Sequence, residues 1–296
     1  MAGTALAHGT AEPVAPLWTF DPWVLVPLFG LGLLYLVGSV VLARRAGEGG
    51  PERHRAGRAQ RGRRIACFAA GWLALTAALV SPLHWLGERL FTFHMIEHEI
   101  VMAVAAPLFV LARPAGTLIW ALPGPARIAI GRAFNHGTVA ALWQAATGPR
   151  NATVLHGLAI WLWHVPAFFD ATIADVTMHR LQHLSFLLTA LLFWWSVLRR
   201  SRAGTAVWHL FVTMVHTGLL GALMALAPRV LYRMQTAQAP AWGLTPLEDQ
   251  QLAGLVMWIP AETVYAGAAL AMAAIWIRDS GRGASPAAAA AAGGER

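Results

Sequence analysis

The chain has 296 residues, 57% of them hydrophobic and 12% charged, with a mean hydropathy of +0.53. That balance is too apolar for a soluble domain of this length, and a lipid bilayer is the matching solvent. The formal net charge is +8, and its basic residues are all arginine, with no lysine. The arginines gather between apolar segments without interleaved base-stacking aromatics, which argues against a nucleic-acid partner.

The first 22 residues lack a basic start and a long apolar core, so no cleaved secretory signal is expected. Hydrocarbon about 30 Å thick is crossed by roughly 20 apolar helical residues. Segments of that size recur at Trp23–Ala43, Arg64–Val80, Thr92–Ala112, Ala152–Phe169, Met178–Leu198, Thr205–Leu226 and Gln250–Ile277. They are too long and continuous for barrel strands, and only closed backbone hydrogen bonding survives in lipid. The expected fold class is therefore all-α: one polytopic membrane domain over residues 1–280, a bundle of seven transmembrane helices. Prolines 82, 107, 166 and 260 fall at or inside these segments, where neighbouring helices can satisfy the freed carbonyls.

Arginines fill the first loop (Arg44 to Arg64), the third (Arg113, Arg127, Arg132, Arg150) and the fifth (Arg199, Arg200, Arg202). Basic residues are retained on the cytoplasmic side, which puts the N-terminus outside and the C-terminus in the cytoplasm. Contact of these arginines with anionic headgroups of the lipid bilayer is a further role. The stretch 114–149 reads as interfacial helices on the cytoplasmic face, and the Ala-rich tail 281–296 as disordered. No internal repeat is visible.

Segment three enters from the outer side with His94 and His98, segment four ends there with His164, and segment five re-enters with His179 and His183. Each i,i+4 pair shares one helix face, and at 1.5 Å rise per residue all five rings fall at comparable depth. A single intramembrane histidine is commonly hydrogen-bonded to a neighbouring carbonyl. Five at matched depth point instead to a metal or cofactor site, because polar groups are costly in lipid. His84 falls at the outer rim, whereas His54, His136, His156 and His209 read as structural or interfacial.

His216 and Glu262 lie inside segments six and seven and are expected to form one buried pair, either a helix-to-helix contact or part of a proton or ion path. The single Cys67 rules out a Cys-x-x-Cys relay within this chain, so a metal would rely on imidazole, thioether or carboxylate. Met95, Met102, Met214 and Met224 read as packing rather than ligands.

Several strings in order carry a resemblance. They are His94-Met-Ile-Glu-His98 running to Ala-Arg-Pro114, Trp161-Leu-Trp-His-Val-Pro166, His179-Arg-Leu-Gln-His183-Leu-Ser-Phe186 with Phe193-Trp-Trp195, and Thr245-Pro-Leu-Glu-Asp-Gln-Gln251 with Met257-Trp-Ile-Pro260. Together they resemble the CtaG family of caa3-type cytochrome c oxidase assembly factors across nearly all seven segments. The resemblance implies a multi-pass protein of the bacterial inner membrane that helps place copper in a haem–copper oxidase and is not an enzyme. Its partners would be cytochrome c oxidase subunits, and a homodimer stays open. The single-span, cysteine-bearing copper chaperone that shares the family's name is a different protein, and Glu262 stands where a small residue is expected.

On this reading His94, His98, His164, His179 and His183 are the metal residues, copper is the expected cofactor, and Glu97, Asp249, His216 and Glu262 are supporting candidates. Asp249, at the outer start of segment seven, would either fix an imidazole tautomer or cap its helix. Two rivals stand beside it. His94-x-x-Glu97-His98 fits the pattern of a zinc hydrolase with Glu97 as general base. Alternatively, His98 and His183 would ligate a b-type haem.

Overall fold

The computed structural model describes residues 17–46 and 51–283; the expected tail and the residues before Leu17 lie largely outside them. Thirteen α-helices and no strand occur among the described residues. Six helical stretches are long and apolar enough to cross a membrane: Pro22–Arg45, Gly57–Val80, Phe91–Ala112, Val176–Arg200, Ala203–Ala225 and Pro246–Ser280. A seventh is broken. Helices α9 (Pro149–Trp163) and α10 (Pro166–Ala174) meet at a bend of 72°, so segment four is not the continuous helix to Phe169 that its hydropathy suggests. Pro166 is the reason: it disfavours the helical conformation at Val165, whose ψ is 125°.

The third span consists of α4 (Phe91–Glu99), a π-helical stretch (Ile100–Ala105) and α5 (Ala106–Ala112). Pro107 accounts for the π geometry, since it has no N–H to donate back into the helix. Ala106 N–H bonds Val101 O, five residues back, and the spare carbonyl of Met102 accepts from the Trp194 indole at 2.9 Å. The freed backbone group is thus satisfied by α11 (Val176–Trp195), as a low-dielectric interior requires.

Spans six and seven, α12 (Ala203–Ala225) and α13 (Pro246–Gly283), cross in close backbone contact. A Cβ on Gly254 would fall 2.7 Å from Gly221 O and 2.5 Å from Ala225 N. Small residues at such crossings allow packing where lipid supplies no hydrophobic drive between helices. The main core gathers Phe91, Met95, Ile160, Phe169, Phe186, Phe193, Trp194, Met224 and Met257; a second, smaller core joins α1 (Pro22–Ala46), α2 (Pro51–Val80) and α5 through Tyr35, Phe68 and Phe109. Large apolar side chains such as Leu33 and Leu36 on α1 and Trp208 and Leu219 on α12 are left exposed on the outside of the bundle, as lipid-facing positions would be.

The two ends of the bundle differ. At one, Arg199 donates to Val110 O (3.1 Å) and Leu111 O (3.3 Å), and Arg200 to Gln144 O and Thr147 Oγ1. Arg45 and Arg127 both lie over the Trp120 ring. Residues 114–146 there form three short helices, α6 (Pro114–Trp120), α7 (Gly124–Asn135) and α8 (Gly137–Ala146), with Ala140 alone buried. The other end carries the histidines.

Candidate metal centre

Two capped helices present the ring pairs. Helix α11 begins at Asp175, whose carboxylate accepts from Thr177 N–H (2.6 Å) and Met178 N–H (3.1 Å), and those two bonds hold its pKa below the usual carboxylate range. Helix α4 has no cap of its own. Asp249 of α13 supplies one, accepting from Phe91 N–H (2.8 Å), Thr92 N–H (3.0 Å) and Thr92 Oγ1 (2.7 Å). Among the described residues its hydrogen bonds thus go to α4 and none to an imidazole, and α13 is capped instead by Thr245 and Glu248, which form a reciprocal capping box. Asp249 fixes the height and rotation of the helix that bears His94 and His98.

His94, His98 and His183 each offer a nitrogen within 4.8 Å of the other two, and all three are buried. Neither ring nitrogen of any of them has a hydrogen-bond partner among the described residues. Ring centres lie 4.3 Å apart for His94 and His98, 4.9 Å for His98 and His183, and 5.8 Å for His94 and His183. His179 stacks on His183 at 4.7 Å with its Nε2 unpartnered. His164 occupies the break between α9 and α10 and lies 6.3 Å from His98. Its Nδ1–H donates to Ile160 O (2.7 Å), which leaves Nε2 as the bare, unpartnered nitrogen. The five histidines singled out from the sequence thus meet at one end of the bundle, three with nitrogens within 4.8 Å of one another, His179 also 5.4 Å from His94, and His164 beside His98.

An aromatic and polar wall closes this group. Phe169 lies 5.2 Å from His94, and Phe186 4.7 Å from His98. The loop between α12 and α13 roofs the site: Tyr232 Oη donates to His164 O (2.6 Å) and Gln235 Nε2 to Gly87 O (2.7 Å). Buried Gln182 lies on the same helix, one residue before His183.

Of the other supporting candidates, Glu97 backs an imidazole, whereas His216 and Glu262 lie apart. Glu97 turns away from the triad: its Oε1 accepts from His84 Nδ1–H at 2.9 Å, and a Cβ on Gly87 would meet its Oε2 at 2.8 Å. His84, on the short helix α3 (Pro82–Gly87), is more than a rim residue, at 5.6 Å from His179 and 6.2 Å from His183. Burial works against its protonation, but the bond to Glu97 and that carboxylate's charge outweigh burial and raise its pKa. His216 and Glu262 do not pair. Glu262 accepts from Thr217 Oγ1 (3.3 Å), while His216 lies near Gly157 with both nitrogens unpartnered. The i,i+4 pattern missed His84, Tyr232 and Gln182, which enter from a short helix, a loop and an unmarked helical position. The one local sign of α3 is Ser81-Pro82, where Ser81 Oγ accepts from Leu83 N–H.

The fold and site define an all-α bundle with helices of membrane-spanning length and a buried cluster of imidazoles, and comparison with known families narrows this class. Residues 33–279 match the family described as cytochrome c oxidase caa3 assembly factor (Caa3_CtaG), and the chain belongs to that family. Similar curated proteins include an uncharacterized protein of Mycobacterium leprae (strain TN), 24% identical over 90% of this chain and 40% of its own length. Another, from Mycobacterium bovis (strain ATCC BAA-935 / AF2122/97), is 26% identical over 93% of this chain and 42% of its own. The chain thus spans about two fifths of the curated relatives it matches. No solved structure matches.

Proposed function

We propose that this cytochrome c oxidase assembly factor holds copper at His94, His98 and His183 and hands it to an oxidase subunit in the same membrane, with His164 and His179 as adjacent ligands. The supporting observation is the set of three buried nitrogens within 4.8 Å of one another, all without hydrogen bonds. Leaving a buried polar group unpaired costs about 1–3 kcal/mol. A cation that takes up these lone pairs gives the arrangement a physical reason. The donor set fits: neutral imidazole suits Cu(I), Cu(II) and zinc, and the oxidase connection favours copper among them. The arginine-rich turns favour placing the histidine end at the outer face of a bacterial inner membrane.

The rival chemistries draw less support from the geometry. A zinc hydrolase needs Glu97 free to take a proton from metal-bound water, but its Oε1 is bonded to His84 and its Oε2 lies against Gly87. A haem ligated by His98 and His183 needs a macrocycle between two rings whose centres are 4.9 Å apart. We therefore read the role as non-catalytic.

Deleting the chain is expected to lower copper-loaded oxidase in isolated membranes, and His94→Ala, His98→Ala, His164→Ala and His183→Ala are each expected to reproduce the loss. Normal oxidase copper content and activity in all four variants would refute the proposal.

A further inference from the structure

Phe169 packs against His94 and Phe186 against His98 on the inner side of the triad. His179 and His84 extend the cluster beyond the triad: His179 lies against His94 as well as His183 (5.4 Å between the His94 and His179 ring centres), and His84 lies 6.2 Å from His183. Centres are 4.9 Å apart from His98 to His183, 4.7 Å from His183 to His179, and 5.6 Å from His179 to His84. His84, His179 and His183 then line a cavity of about 950 Å³ between α1, α2 and α11. Its walls are mainly apolar (Leu28, Leu75, Leu79, Ile173, Leu187), and the Asp21–Arg180 ion pair (2.8 Å) stands at its edge. The cluster therefore meets this open space through His84, His179 and His183.

His84 is backed by a carboxylate, as a metal-ligating imidazole commonly is. Its Nδ1–H is committed to Glu97, a carboxylate that is itself fully buried and fitted against Gly87. A carboxylate behind an imidazole fixes the ring's orientation and makes its other nitrogen a better donor to a cation. His179 Nε2, beside it, is buried and unpartnered.

We propose that His84 and His179 form an outer cation subsite, and that His183 is shared between it and the inner triad, so a copper ion moves outward by ligand exchange and leaves through the cavity. The inference rests on the copper reading of the triad. Only nitrogen–metal bonds break and form, with the oxidation state unchanged, and overlapping ligand pairs spare the ion a fully unliganded step in a low-dielectric interior.

The test uses the full chain in detergent, loaded with Cu(I), and follows transfer of the ion to the water-soluble chelator bathocuproine disulfonate as a rate per bound copper. His84→Ala is expected to slow release by at least about tenfold, as loss of a ligand-sphere group typically does. Glu97→Gln is expected to slow it less, because the amide oxygen still accepts from Nδ1–H. Ile173→Trp, which narrows the cavity without replacing a histidine, should also slow release and covers the case in which His84→Ala folds poorly. Release at the wild-type rate in His84→Ala and Ile173→Trp would overturn the proposal. Loss of all bound copper in His84→Ala would overturn it too, by placing His84 in the holding site. A wild-type protein that takes up no Cu(I) would instead refute the copper reading itself, a distinguishable failure.

Discussion

The bundle contains histidines of two kinds. Toward the middle, His156 has partners on both sides, Thr189 Oγ1 at 3.2 Å from Nδ1 and Tyr265 Oη at 3.4 Å from Nε2, and His209 Nδ1 lies 2.9 Å from Thr153 Oγ1. At the histidine end, His94 and His98 are as deeply buried as His156 and His183 is also buried, yet their ring nitrogens have no partner at hydrogen-bond geometry among the described residues, the Gln182 amide beside His94 included. Burial alone therefore does not mark a site in this molecule. A polar ring that the fold has satisfied works as a structural bond, and rings left unsatisfied side by side are available to an ion. His216 tests the distinction, since it is unpartnered but stands apart from the triad and carries no such reading.

Replacing one ring of each kind separates them most sharply. His98→Leu is expected to abolish copper retention while leaving the melting temperature of the metal-free protein unchanged or higher, because it removes an unpaired buried polar group. His156→Leu should destabilise by about 1–3 kcal/mol, since Tyr265 Oη and Thr189 Oγ1 lose a partner, and thermal unfolding in detergent would show it. Equal stability losses in the two variants would erase the distinction.

The sequence carried much of this fold, because hydropathy and helical spacing are local signals. All seven apolar segments and the convergence of five histidines were legible in that way. What escaped has a tertiary cause. The 72° break follows from Pro166, which the sequence shows, but its angle depends on how α10 packs. The roles of Asp249 and Glu97 could not be read because each acts on an element remote in the chain or outside the periodic pattern, Phe91 and Thr92 for one and His84 for the other.

A smaller effect sharpens the same contrast. Asp249→Ala leaves every ring in place but removes the cap from α4, so it is expected to cost about 1–2 kcal/mol of stability and to weaken copper retention rather than abolish it. Retention as poor as in His98→Leu would mean that Asp249 contributes to the ion directly. The smallest effect is expected at His136, exposed at the arginine end: His136→Ala should change stability by less than about 0.5 kcal/mol and leave copper content as in wild type.

The most direct measurement is the metal content of the purified chain, by atomic emission after copper loading and desalting, beside that of the His94→Ala/His98→Ala double variant. Copper retained by the wild type and lost from the double variant is the expected result. Equal copper in both proteins, or none in either, would contradict a metal centre built from these rings.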